Sequence, residues 1–275
     1  MLEIAFHCGG LSSVSLEQAL GTAARLGFRY VALDSAHIDL KRAVDQPASE
    51  AAAIRELLRD FHLELVEVQI ETAQINAPEP IDRDHALSTL EKLLPFVALL
   101  QPRCVTVSVG REQSDGHDHS LARAVPGLLG LKRAMDVSAP GIALAVEPQP
   151  DSAAHTPYDV LKLLECVPGL RLTLDTGYLI YLGLSRSEMV TLLPYASSIH
   201  LRQAAKGRLQ TALSLGNLKI PEWVADLKDA NYAGTVAIQY LDNVWEHGAL
   251  PLSVLEESVR TRDAFREARK ALLPA

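Results

Sequence analysis

Apolar runs of four to eight residues alternate with longer amphipathic segments along the whole chain. Short apolar runs bounded by turn residues suit buried strands, and longer segments with a 3.6-residue period suit helices. Their regular alternation is the mark of βα units built on a parallel sheet. The pattern predicts strands near 3–8, 28–34, 63–71, 104–110, 142–148, 170–175, 197–203 and 235–241. It predicts helices near 15–26, 47–60, 83–100, 119–137, 156–166, 186–196, 221–230 and 251–273. Local signals agree. Ser15 with Gln18 has capping-box spacing, and Thr156-Pro157 reads as an N-cap followed by proline at the first helical position. Gly27, Gly169 and Gly234 stand where helices should end. No linker divides the chain, so residues 1–275 are expected to form one α/β domain, a closed (β/α)8 barrel.

Side chains alternate between the two faces of a strand, which sorts each run into two sets. Val66, Val68 and Ile70 oppose Glu67, Gln69 and Glu71; Leu170, Leu172 and Leu174 oppose Arg171, Thr173 and Asp175; Ile199 and Leu201 oppose Ser198, His200 and Arg202. The branched apolar set belongs under the helices. The small and polar set belongs inside the barrel, and its last members should line the C-terminal mouth, where barrel active sites lie. His7, Asp34, Glu71, Gly110, Glu147, Asp175, His200 and Gln239 are thereby predicted to form one ring. So many carboxylates cannot be buried together without compensation, and a divalent cation or a polyhydroxylated ligand would supply it.

Composition narrows the partners. The net charge of -8 argues against nucleic acid and anionic membranes. No apolar stretch is long enough to span a bilayer, and no signal peptide is apparent, so a cytoplasmic location is expected. The three cysteines, Cys8, Cys104 and Cys166, show no CxxC spacing and read as reduced, mostly buried thiols.

Several of these stretches also carry a resemblance. Glu147-Pro148, Thr156-Pro157, Val167-Pro168-Gly169-Leu170 leading to Leu172-Thr173-Leu174-Asp175-Thr176-Gly177, then Ile199-His200-Leu201-Arg202 and Gly207-Arg208-Leu209-Gln210, resemble the sugar phosphate isomerase/epimerase family. That family belongs to the xylose isomerase-like TIM barrels, and the resemblance runs over essentially the whole chain. It implies a divalent metal (manganese, magnesium, cobalt or zinc) held by Glu, Asp, His and Glu. Carried over, these are Glu147, Asp175, His200 and, at the fourth position, Gln239. The glutamine is a departure. Two others are Tyr178 and Gln149, where members often carry histidine. The additional histidines of the related endonuclease IV barrels find no match, which argues against a trinuclear zinc nuclease.

The resemblance implies an enzyme acting on a sugar, sugar phosphate or polyol through an enediolate, with Glu147 moving the proton. His7 and Glu71 are candidate substrate hydrogen-bonders. Arg202 and Arg208 are candidate clamps for phosphate or carboxylate, with a salt bridge as the competing reading. Gln239 either coordinates through its amide oxygen or only hydrogen-bonds; it cannot act as a base. Arg111 could clamp an anion in the same way but reads more simply as a surface salt bridge, and Lys206 could act as a general base but reads more simply as a solvated loop lysine. His117 and His119, in Asp115-Gly116-His117-Asp118-His119, read as a metal pattern or as a polar loop before a helix. Two alternatives stand beside the isomerase: a lyase or C-glycoside-cleaving enzyme on the same scaffold, and a non-catalytic sugar-binding descendant. A homodimer is one option for the assembly.

Overall fold

The computed structural model describes residues 3–71, 74–242 and 246–272. Eight parallel strands close into a barrel in sequence order, with β8 paired to β1. They are β1 Glu3–His7, β2 Tyr30–Asp34, β3 Glu64–Ile70, β4 Cys104–Ser108, β5 Ala143–Glu147, β6 Arg171–Asp175, β7 Ala196–Leu201 and β8 Thr235–Ile238. The helices are α1 Leu16–Arg25, α2 Leu40–Asp45, α3 Pro47–Asp60, α4 Pro80–Leu100, α5 His117–Ser138, α6 Pro157–Cys166, α7 Thr176–Tyr181, α8 Arg186–Leu192, α9 Ile220–Asp229 and α10 Val254–Ala271. Among the described residues, no helix is long and apolar enough to cross a membrane.

The main hydrophobic core lies between strands and helices, where Val31, Leu33, Val68, Leu172 and Ile199 meet Leu20, Ile54, Leu128 and Trp223. A fully buried aliphatic side chain there stabilises the fold by roughly 1.5–3 kcal/mol relative to exposure. Inside the barrel the apolar filling is small, made of Ala5, Ala32, Val66 and Ala237.

Val66 corrects the sequence reading, which placed it outside with Val68 and Ile70. Val31 pairs with Leu65 and Ala32 with Glu67, so β3 skips a residue against β2. This bulge breaks strict alternation and puts Val66 on the same side as Glu67. A second irregularity lies between β6 and β7, where Leu172 pairs with Ala196 but Thr173 with Ser198.

The predicted capping boxes at Ser15 and Thr156 are formed. Gly27 and Gly169 have φ of +78° and +82°, the left-handed conformation that ends a helix. Gly234 does not end one. After α9 the left-handed residue is Asn231, and Gly234 is needed for space, since a Cβ there would collide with Ser197 O and the Tyr232 ring. Two short helices escaped prediction. α2 begins at a cap supplied by Asp39, and α7 follows β6 with no spacer because Asp175 is both the last strand residue and the helix N-cap. Cys8 and Cys104 are buried, whereas Cys166 is exposed.

Candidate functional site

The barrel interior is polar from its middle to its C-terminal mouth. At the bottom of this zone lies Glu67, fully buried. Ser198 Oγ donates to Glu67 Oε2 at 2.5 Å, and Thr106 Oγ1 donates a short bond to Oε1. Thr173 supports Thr106 in turn, their hydroxyls 2.6 Å apart. Desolvation alone would raise the Glu67 pKa, but the charge and hydrogen bond of His200, with His7 and Ser198, outweigh it and hold the group at about 2.

His200 lies between two carboxylates. Its Nε2 is 3.0 Å from Glu67 Oε1 and its Nδ1 is 2.7 Å from Glu147 Oε1. Burial opposes charge on the ring, yet Glu67 and Glu147 together raise its pKa well above the usual histidine value. As an imidazolium it donates from both nitrogens. The other oxygen of Glu147 accepts from Gln149 Nε2 at 2.6 Å and from Gln69 Nε2 at 3.0 Å. Gln69 Nε2 also lies 3.3 Å from Glu71 Oε1, so one amide spans two carboxylates.

Asp175 is gripped by Arg202, with Nη2 2.6 Å from Oδ2 and Nε 3.2 Å from Oδ1. Both partners are fully buried. The sequence offers Arg202 as an anion clamp at the mouth or as a surface salt-bridge partner; its guanidinium turns inward and forks onto Asp175 in a buried ion pair, under the ring of Tyr178 at 4.6 Å. Space for it comes from Gly177, where a Cβ would overlap Arg202 Nε, Cγ and Cδ. Asp175 Oδ1 also accepts from Tyr178 N at 3.0 Å, its helix-capping bond. Arg202 Nη1 is buried without a hydrogen-bond partner.

Gln239 closes the ring. Its Nε2 is 3.4 Å from Gln69 Oε1 and 3.5 Å from His7 Nε2, while its Oε1 is buried with no partner. His7 packs edge-on against His200, ring centroids 4.7 Å apart, and its Nδ1 accepts from Gly9 N. Burial first, and then the His200 charge, lower its pKa to about 4, so it is neutral.

Above these groups opens a cavity of about 410 Å³, lined by Glu71, Ser108, Gly110, Arg111, Gln149, Pro150, Asp151, Ser152, Tyr178, Leu209, Leu241 and His247. Gln149 and Tyr178, the two positions where histidine was anticipated, form its boundary with the buried charges. Glu71 stands at the exposed edge. Partial desolvation, then Glu147 and Asp34, raise its pKa to about 7.

One ligand atom from each of Glu147, Asp175 and His200 lies within 4.8 Å of the others. Gln239 and His7 belong to the same network. Asp34 is occupied in capping the turn that follows β2, accepting from Ala36 N at 2.7 Å. Arg208 is exposed and outside the cavity lining, as is Lys206, whereas Arg111 lines the cavity. Glu67 and Gln69 were named on the inward face but not chosen as site residues. Their signal was available, since two adjacent inward positions of β3 carry long polar side chains where other strands carry Ala, Thr or Ser.

No curated protein sequence matches the chain. Among solved structures it is similar to D-psicose 3-epimerase from Clostridium cellulolyticum H10, crystallised with D-tagatose, at 14% identity and TM-score 0.79, covering 98% of this chain and 99% of that one. It is also similar to a xylose isomerase-like TIM barrel protein from Mycobacterium smegmatis in complex with magnesium, at 15% identity and TM-score 0.71, covering 98% of each chain. A third is the probable 3-DHS dehydratase AsbF from Bacillus anthracis, at 12% identity and TM-score 0.71, covering 97% of this chain and 99% of that one. At such identities the likeness is one of fold. The model for the xylose isomerase-like TIM barrel matches residues 20–267, and the chain belongs to that family.

Proposed function

We propose that this protein is an enzyme of the isomerase or epimerase type, acting on a sugar, sugar phosphate or related polyol in the cavity above Glu147. The observation that carries this reading is the buried constellation itself: Glu147, Asp175 and His200 converge beneath a polar cavity of about 410 Å³. Similarity to epimerases of the same fold supports it.

The donor set fits a divalent cation. His200 offers Nδ1 toward Glu147 while its far nitrogen rests on the Glu67 carboxylate, the outer-shell arrangement that orients metal-bound imidazoles. The unpartnered Gln239 Oε1 is a fourth donor atom. Glu147, Asp175, His200 and Gln239 would hold the ion, which when bound supplies polarisation of a substrate carbonyl and its neighbouring hydroxyl. Oxygen and imidazole ligands suit manganese, magnesium, cobalt or zinc. Binding requires the Nδ1 proton of His200 to leave.

Glu147 is the group that moves a proton at the substrate carbon, its carboxylate aimed by Gln69 and Gln149. Glu71 is the second acid/base. Its pKa of about 7 lets it hold or release a proton near neutrality, and it shares Gln69 Nε2 with Glu147. Gln239 stands where the resemblance leads one to expect a second glutamate, and Glu71 takes that role from the end of β3. Tyr178 and Gln149 position the substrate at the cavity floor.

The test is proton exchange. With manganese present and in heavy water, a panel of keto-sugars and their phosphates should show deuterium entering the carbon beside the carbonyl. Glu147→Gln should slow this by about 10²–10⁴-fold, the usual worth of a general base. If no keto-sugar exchanges but 3-dehydroshikimate or a 3-oxo-glycoside is consumed, the protein is a lyase on this scaffold. If none reacts, the enzymatic reading fails.

A companion prediction concerns metal affinity. Gln239→Glu adds a carboxylate to the ligand set, and divalent-metal affinity should rise about tenfold, equivalent to about 1.4 kcal/mol. Calorimetric titration with manganese checks it; an unchanged affinity would remove Gln239 from the coordination sphere.

A further inference from the structure

We propose a second metal site, of the zinc type, formed by Glu112, His117 and His155 on the outer side of the cavity wall. One ligand atom of each lies within 4.8 Å of the other two. Glu112 comes from the connection between β4 and α5, His117 is the first residue of α5, and His155 comes from the connection between β5 and α6.

The proton positions favour a metal over a simple polar cluster. Asp159 receives Thr156 N at 3.1 Å and Thr156 Oγ1 at 2.5 Å on Oδ2, which leaves Oδ1 for His117 Nε2 at 2.9 Å. In its neutral form His117 therefore carries its hydrogen on Nε2, and Nδ1 keeps a lone pair. That Nδ1 is shielded from solvent and has no hydrogen-bond partner. Glu112 Oε2 is 3.6 Å away, too far for a hydrogen bond. His155 shows the same logic from the other loop. Its Nδ1 is 3.1 Å from the carbonyl oxygen of Ser152, so Nδ1 is the donor and Nε2 holds the lone pair. One imidazole is thus anchored by a carboxylate and the other by a backbone carbonyl, the two supports that metal-ligating histidines use. The rings meet edge to face with centroids 5.0 Å apart.

Two imidazoles and one carboxylate select zinc or a similar transition-metal ion over magnesium or calcium, with water as the fourth ligand. His119, the other histidine of the same segment, is exposed and takes no part. The site joins two loops already linked by the bridge between Arg111 and Ser152 and by Glu112 N donating to Asp151 O at 2.9 Å. Arg111, Asp151 and Ser152 line the main cavity. An ion on the outer side would hold that wall in one conformation.

Crystals of the full chain soaked in zinc chloride and measured at the zinc absorption edge should show an anomalous peak between Glu112, His117 and His155. In solution, zinc should raise the melting temperature, because it binds the folded chain alone. Glu112→Gln alters only a partly exposed loop side chain and should weaken zinc binding tenfold or more. His155→Ala should lose one zinc equivalent by elemental mass spectrometry while zinc bound at the barrel mouth is retained. No anomalous peak at these residues, or unchanged zinc content and affinity in both variants, overturns the proposal.

Discussion

Replacing Arg202 with methionine should destabilise the fold by about 3–5 kcal/mol and, in the same protein, tighten divalent-metal binding. The first effect follows from burial. Arg202 and Asp175 are both fully buried, and removing one partner leaves the other charge uncompensated. For a chain of this size the loss corresponds to a melting temperature lower by roughly 6–20 °C. The second effect follows from competition. Arg202 engages both Asp175 oxygens, one through Nη2 and one through Nε, and places a fixed positive charge beside the proposed ion. Without it, Asp175 turns its full charge to the metal, so manganese should recover much of the lost stability. Calorimetric melting with and without manganese reads both effects. A variant that melts with the parent would show that the buried fork does not form. One that loses stability without gaining metal affinity would remove Asp175 from the ligand set.

Glu67→Gln should destabilise to a similar degree, about 3–5 kcal/mol, because the buried imidazolium of His200 would keep only one carboxylate partner. Its effect on metal binding should be opposite. Outer-shell partners of ligating histidines are typically worth 10–100-fold in metal affinity. Affinity should fall within that range even though Glu67 is not itself a proposed ligand. The pair of variants is more informative than either alone, since both weaken the fold while moving metal affinity in opposite directions. If affinity moves the same way in both, stability alone accounts for the change and the proposed division of roles is wrong.

The barrel was legible because each strand announces itself twice, once as an apolar run and once as an alternation with small polar residues. The strand ends were legible for the same reason: Glu147, Asp175 and His200 each close a run on its inward face. What stayed hidden depends on contacts between elements. Arg202 lies one inward step beyond His200, and nothing in the sequence says that its side chain turns toward a residue 27 positions earlier. Gly177, which admits it, reads in sequence as an ordinary turn glycine. Glu67 lies on the inward face in sequence too, but its role depends on contact with His200 from β7, one layer beneath the mouth. The placement of Val66 failed for a backbone reason, because strict alternation cannot express an extra residue in one strand. α7 was missed because Asp175 ends a strand and starts a helix at once, leaving no polar interval to mark the change.

The bulge at Val66 bears on transplantation of this site. The bulge lets Val66 and Glu67 share the inward side; in a regular β3 that kept Glu67 against His200, Val66 would turn outward and the interior would lose its apolar filling there. The extra backbone residue thus belongs to the packing of the interior beside the Glu67 support. Deleting Val66 would leave Leu65 and Glu67 paired with Val31 and Ala32 in regular register, keeping Glu67 inward but removing an apolar side chain from the barrel interior. A designer borrowing this interior would have to carry over the irregular strand whole.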